Sequence, residues 1–390
     1  MKKTVLFLSL LTWVLFGFAE SRVWVSPLEI KPGEHSFLRI NYEFDEGHII
    51  SNYQLKVNLP EGVTVDGTNV VLGSCHTTTH TGSIVNNILV VTSMNVVLQG
   101  TSGVLVEIPV VADNNLVVGT QLSGNLENVK LGQTDQTSIN STGIQFDVDV
   151  VDYILLDENS ITAPAASATA KKVKVKRTIK AGEWSTICLP FAMTEAQLSA
   201  AFGSDAEMAY FTSYNPQNVG SDVTSINIVF VDNPLSYTLY ANYPYVIKTT
   251  SNISEFELTT TIAPAPVVAE YTTGSGPGKK TLGSFIGTYQ AETLVPANNL
   301  FLSGNKFYYS AGKTKMKAFR AYFDLDDVLA EVTSANSRVF MSFGDETKVV
   351  ELKDGRIEGL KSCYNLKGQR VEKPVKKGVY IRDGKKVVVK

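Results

Sequence analysis

Apolar and polar positions alternate with a period of two along most of this chain. Tyr53, Leu55, Val57 and Leu59 alternate with Gln54, Lys56 and Asn58, and the run ends at the turn Pro60-Glu61-Gly62. Val104, Val106 and Ile108 repeat the pattern, with Pro109 hinting at an edge or a bulge. Segments 84–91, 116–122 and 144–150 complete a series of short predicted strands between Gly, Asn and Asp turns. Strands so spaced, with no helical period between them, predict a sandwich rather than a parallel sheet. A small, polar stretch at 157–170 reads as a linker. Alternation resumes with Val173, Val175 and 177–179, then at 208–213, 225–231, 245–249, 306–310, 318–323 and 337–343. One helix interrupts it. Thr194 caps it, Gln197 completes a capping box, Leu198, Ala201 and Phe202 give it an apolar face, and Gly203 stops it.

The pattern therefore predicts an all-β chain. Two consecutive β-sandwich domains cover 20–156 and 171–345, with one short helix in the second, and a small β module follows at 346–390. Asp354-Gly355 and Asp383-Gly384 sit between alternating segments of that module as hairpin turns.

The first residues follow a different rule. Lys2 and Lys3 precede an almost unbroken apolar run at 5–18, and Gly17 and Ala19 place small residues where a signal peptidase cuts. Residues 1–19 read as a secretory signal cleaved near Ala19, since Glu20 and Arg22 follow at once and alternation begins behind them. No later segment approaches the ~20 apolar residues of a transmembrane helix. The expected location is secreted or at the cell surface, on the outer-membrane exterior.

Charge adds little to the whole and more to the tail. Lys and Arg number 35 against 38 Asp and Glu, so nothing marks a nucleic-acid partner. From Lys353 to Lys390, however, twelve basic residues face four acidic ones. A lysine face protecting sheet edges accounts for this in an exported protein. Cys75, Cys188 and Cys363 are odd in number and lie in apolar or β-rich settings, so they read as buried thiols rather than a disulfide framework.

Three parts of the chain resemble known families. Residues 364–371, 377–381 and 384–390 (Tyr-Asn-Leu-Lys-Gly-Gln-Arg-Val, Lys-Gly-Val-Tyr-Ile and Gly-Lys-Lys-Val-Val-Val-Lys) resemble the C-terminal module of exported Bacteroidota proteins, which is similar to the type IX secretion sorting tail. The resemblance implies a secretion machinery as a partner of this module. Residues 182–191 (Gly-Glu-Trp-Ser-Thr-Ile-Cys-Leu-Pro-Phe) and 316–323 (Met-Lys-Ala-Phe-Arg-Ala-Tyr-Phe) look like phrases of large surface proteins of the same group. Lys31-Pro32-Gly33-Glu34, the 55–63 strand and turn, and 103–108 followed by 119–129 resemble cohesin-like and carbohydrate-binding-module-like sandwiches. That likeness implies a fold that binds dockerins or polysaccharide or acts as a spacer, and it carries over no site residue.

Candidate chemistry is sparse. Cys75, His76 and His80 concentrate soft ligands, but zinc wants three or four, and on a strand the two histidines would lie too far apart for one ion. A Thr-rich turn is the preferred reading, with no metal and no cofactor expected. Asp147, Asp149, Asp152, Asp157 and Glu158, and then Asp324, Asp326 and Asp327, lack the glycine and distal Glu of a calcium loop and read as strand or turn carboxylates. Residues 274–281 miss the phosphate-loop spacing because Thr273 stands where its first glycine belongs. No pair of acids or nucleophilic constellation marks a catalytic site. Aromatics are denser: Tyr237, Tyr240, Tyr243 and Tyr245 crowd around Pro234 and Pro244 as candidate ligand-binding residues, and Phe307, Tyr308 and Tyr309 match Tyr322 and Phe323 in pattern. Sugar rings stack on such faces, although tyrosine also serves sheet packing. The sequence thus predicts a non-enzymatic surface protein that binds a glycan or a protein, or acts as a spacer. A hydrolase of extracellular polymer and a fibre or layer subunit are the alternatives.

Overall fold

The computed structural model describes residues 21–219, 222–232, 238–273, 279–325, 338–343, 363–365, 370–371, 378–382 and 385–389. The predicted signal at 1–19 lies outside them, as do Asp354-Gly355 and most of 346–377. The chain is all-β, with one helix among the described residues, and divides into two compact units, Met1–Asp152 and Tyr153–Lys390.

Unit one is a two-sheet sandwich. One sheet runs Arg22–Val25, His35–Glu43, Ser102–Ala112, Val63–Val65, with Val71–Leu72 also paired to the long strand. The other runs Leu28–Ile30, Ile144–Val150, Gln121–Gln133, Ile50–Asn58, Ile88–Thr92, Thr81–Val85. Alternation sends Leu38, Ile40 and Tyr42 from the first sheet against Tyr53, Leu55 and Val57 from the second, in one apolar core.

Several details differ from the sequence reading. Pro109 is on neither an edge nor a bulge. Its strand is internal, but Val71–Leu72 covers Glu107 and Val106 while Val63–Val65 covers Val110 to Ala112. Pro109 thus falls in the gap between two short partners, where its missing N–H costs no ladder bond. Residues 84–91 are not one strand but a hairpin, turned at Asn86 and Asn87 with φ of 49° and 62°. Two left-handed residues are what a tight hairpin turn demands, and asparagine tolerates them. Residues 116–120 form turns, so the strand expected at 116–122 begins only at Gln121.

Unit two holds two five-stranded sheets over a shared aromatic core. The first runs Ser185–Cys188, Pro244–Lys248, Glu207–Val219, Asp222–Asp232, Arg338–Phe343; the second runs Val268–Thr273, Lys280–Thr288, Arg320–Asp324, Leu300–Ser303, Lys306–Tyr309. Phe211 and Phe230 from the first meet Phe285 and Phe323 from the second, the last two stacked at 4.1 Å. Thr293–Val295 and Thr314–Met316 pair as a small separate ribbon.

A second core gathers the three-stranded sheet of Ile154–Asp157, Lys171–Ile179 and Ile253–Thr260 with the helix Glu195–Phe202. Thr194 and Gln197 form the expected capping box, and Gly203 leaves the helix at φ 90°. Residues 157–170 are tied to this unit: Ser167 N–H donates to Ile262 O at 2.8 Å, and Ile161 is buried. In the C-terminal segment, Cys363–Asn365 pairs with Arg370–Val371 and with Gly378–Arg382, which pairs in turn with Lys385–Val389. Arg382 opposes Lys385, and the expected turn at Asp383-Gly384 lies outside the described residues.

Candidate ligand-binding face of the second unit

In the second sheet of unit two, Ala269, Phe285, Ala321, Phe323 and Leu300 point into the core. Period two then sends their neighbours to the opposite face. Register aligns these neighbours: Val268 faces Ile286, Ile286 faces Tyr322, and Phe301 faces Tyr308. Leu300 opposes Phe323, which places Phe301 beside Tyr322. One row of Val268, Ile286, Tyr322, Phe301 and Tyr308 therefore crosses all five strands, over about 19 Å at the usual strand spacing. Phe301 and Tyr308 stack at 5.6 Å with planes 21° apart. Val268 and Tyr308 are 42% and 45% exposed, and the three between them are half-buried.

Polar rows flank this stripe two residues away along each strand. On one side Thr288 faces Arg320 and Ser303 faces Lys306; on the other Glu270 faces Ser284 and Ser284 faces Asp324. A concavity of about 380 Å³ opens at the Ile286 end, lined by Ala163, Pro264, Pro266, Thr288, Gln290 and Tyr322 among others. Burial, helped by Asp324, pushes the Tyr322 hydroxyl upward, so it stays a neutral donor.

A charged cluster borders the Arg320 side. Glu158 is buried and accepts from Lys317 Nζ at 3.0 Å, Arg320 Nη2 at 2.8 Å and Thr178 Oγ1 at 2.9 Å. Arg177, wholly buried, lies 3.5 Å from it. Burial alone would raise the Glu158 carboxyl, but Arg320, Arg177 and Lys317 outweigh burial and hold it below the usual range. Burial and the neighbouring Arg320 pull Arg177 down to about 9 against the opposing pull of Glu158. Arg177 also binds three carbonyls: Phe319 O at 3.3 Å, Thr186 O at 2.7 Å, and Thr178 O. Ala321 N–H donates to Thr186 Oγ1 at 2.9 Å, and Cys188 N–H to Phe319 O at 3.3 Å. The two phrases at 182–191 and 316–323 thus meet at one joint. Phe319 sits there at φ 59°, a left-handed conformation that a bulky residue adopts only when its surroundings enforce it.

The sequence-predicted site residues lie elsewhere. Tyr240 is 69% exposed, Tyr243 is half-buried and Tyr245 is in the core, while Tyr237 lies outside the described residues. Tyr243 and Tyr245 meet edge to face at 5.3 Å, and the Tyr245 hydroxyl accepts from Tyr240 N–H at 3.2 Å. Burial pushes Tyr245 up to about 12. Among the three that are described, only Tyr240 offers an open ring.

Cys75, His76 and His80 lie on turns, not on a strand, and the two rings come within 5.2 Å. Gly73 O can only accept, so His76 Nδ1 donates to it at 2.8 Å, and Nε2 accepts from the Tyr53 hydroxyl at 3.1 Å. His80 Nδ1 accepts from Thr77 N–H at 3.1 Å. Among the described residues no three His, Cys, Asp or Glu are grouped to hold a metal.

The acids also separate. Asp149 accepts from Gln121 across the sheet, Asp157 from Asn159 in its own loop, and Glu158 belongs to the cationic cluster; Asp326 and Asp327 lie outside the described residues. Residues 274–278 do so too.

No protein-family model matches the chain, and no curated protein is similar to it. Among solved structures it is similar over 34% of its length to the sixth cohesin of scaffoldin B from Acetivibrio cellulolyticus, in complex with a Cel5 dockerin (12% identity, 99% of that chain, TM-score 0.29). It is similar over 34% to a non-cellulosomal cohesin from the archaeon Archaeoglobus fulgidus (16% identity, 92% of that chain, TM-score 0.27). It is also similar over 34% to a cohesin module from a Clostridium perfringens family 33 glycoside hydrolase (12% identity, 96% of that chain, TM-score 0.27).

Proposed function

We propose that this is an exported, non-catalytic surface protein that holds a glycan on the row of Val268, Ile286, Tyr322, Phe301 and Tyr308. The observation that carries the reading is this row, lying across an open sheet face with hydrogen-bonding side chains on both flanks. Pyranose rings present C–H groups that settle on aromatic faces, while their hydroxyls reach groups such as Ser284 and Glu270. The basic start and apolar run at 1–19 and the tail at 364–390 support export through the inner membrane and onward to the cell surface by a secretion machinery.

Glycan-array binding of the purified chain tests the platform, followed by titration of any hit against the Tyr308→Ala variant. That variant is expected to lose about tenfold in affinity, worth ~1.4 kcal/mol, with an unchanged melting temperature because the ring is exposed. A blank array, or a variant that binds as well as the parent, overturns the reading.

A further inference from the structure

We infer that the glycan held on this face is anionic, its carboxylate or sulfate group seated against Arg320 and Lys317; this rests on the reading of the aromatic row as a glycan platform. Among the described ion pairs, Arg177, Lys317 and Arg320 all share the one carboxylate of Glu158. Arg177 is sealed in the core and can offer nothing outward. Lys317, with a side chain 48% exposed, and Arg320, 27% exposed, can.

Arg320 spends Nη2 on Glu158, and its guanidinium carries further N–H donors on a side chain that is 27% exposed. Position completes the case. Arg320 lies two residues from Tyr322 on the same face of the same strand, about 7 Å along it. A sugar stacked at Tyr322 would place a ring substituent within reach of those donors. A neutral polymer offers these two exposed cations no charge to pair with.

The test measures affinity of the purified chain for three oligosaccharides of equal length: a neutral one, a uronate and a sulfated one, each at low and high salt. The expected result is that one or both anionic probes bind at least tenfold tighter than the neutral one, with the advantage shrinking as salt rises. Lys317→Gln should weaken the anionic probe several-fold and leave the neutral one unchanged. Lys315→Gln, an equal charge change at an exposed site outside the cluster, should alter neither. Tyr308→Ala should weaken both classes.

Equal, salt-independent binding of neutral and anionic probes overturns the anionic inference and leaves the platform standing. Anionic binding lost in Lys317→Gln but untouched by Tyr308→Ala overturns the platform and keeps the charge site. Binding of none of the three overturns both. Melting curves of Lys317→Gln confirm that it folds; if it does not, the salt dependence of the parent chain decides.

Discussion

Glu158 shows how much of a site can hang on one side chain. Its carboxyl is held low by three cations, so it contributes stability above the ordinary glutamate range and loses it as pH falls through its own lowered value. The parent chain should therefore lose stability on acidification from about pH 4.3 downward, the usual glutamate value. Glu158→Gln should be less stable at neutral pH and lack that component of the acid loss; denaturant unfolding across pH 3–7 reads both. None of this was legible in the linear sequence. Glu158 stood in a run of acids, and its partners Lys317 and Arg320 lie 159 and 162 residues away. Tyr245 illustrates the same limit: a tyrosine between apolar neighbours reads equally as a core or a surface residue, and burial alone decides. Cys188 was legible, because flanking Ile187 and Leu189 imply a core strand, and burial accordingly pushes its thiol up to about 12.

At the scale of elements, the helix and many strands were plain because their signals are local: a capping box, a stop glycine, strict alternation. The candidate ligand face was not. Of its five strands only those near 306–310 and 318–323 were expected, since Val268–Thr273, Lys280–Thr288 and Leu300–Ser303 carry apolar residues on both faces and so blur the period. Doublets such as Phe285-Ile286, Leu300-Phe301 and Tyr322-Phe323 were the available signal. The strand Lys280–Thr288 is also pinned by its glycines. A Cβ on Gly287 would come 2.4 Å from Cys188 Sγ and 2.9 Å from Cys188 Cβ. Gly287→Ala should cost about 1–3 kcal/mol by overpacking, measured by urea unfolding. Because that strand supplies Ile286, glycan affinity should fall with it.

The whole molecule carries two compact units, the first with one apolar core around Leu38, Tyr53 and Val106, the second with two, around Phe191 and around Phe230 and Phe323. Calorimetry is expected to resolve two unfolding transitions, and Gly287→Ala should shift only the one belonging to unit two. A single transition moved as a whole would show that the units unfold together. Arg320 ties the proposed recognition to architecture within unit two, since it pairs with the buried Glu158 and lies on the same strand face as Tyr322. This divides the face by how freely it can diverge. Tyr308, with an exposed ring, can change at little cost to folding, whereas Lys317 also helps neutralise the buried Glu158. Arg320 cannot drift without disturbing Glu158 and the joint behind it. Substitution at Arg320 is therefore expected to change stability and affinity together, and substitution at Tyr308 affinity alone.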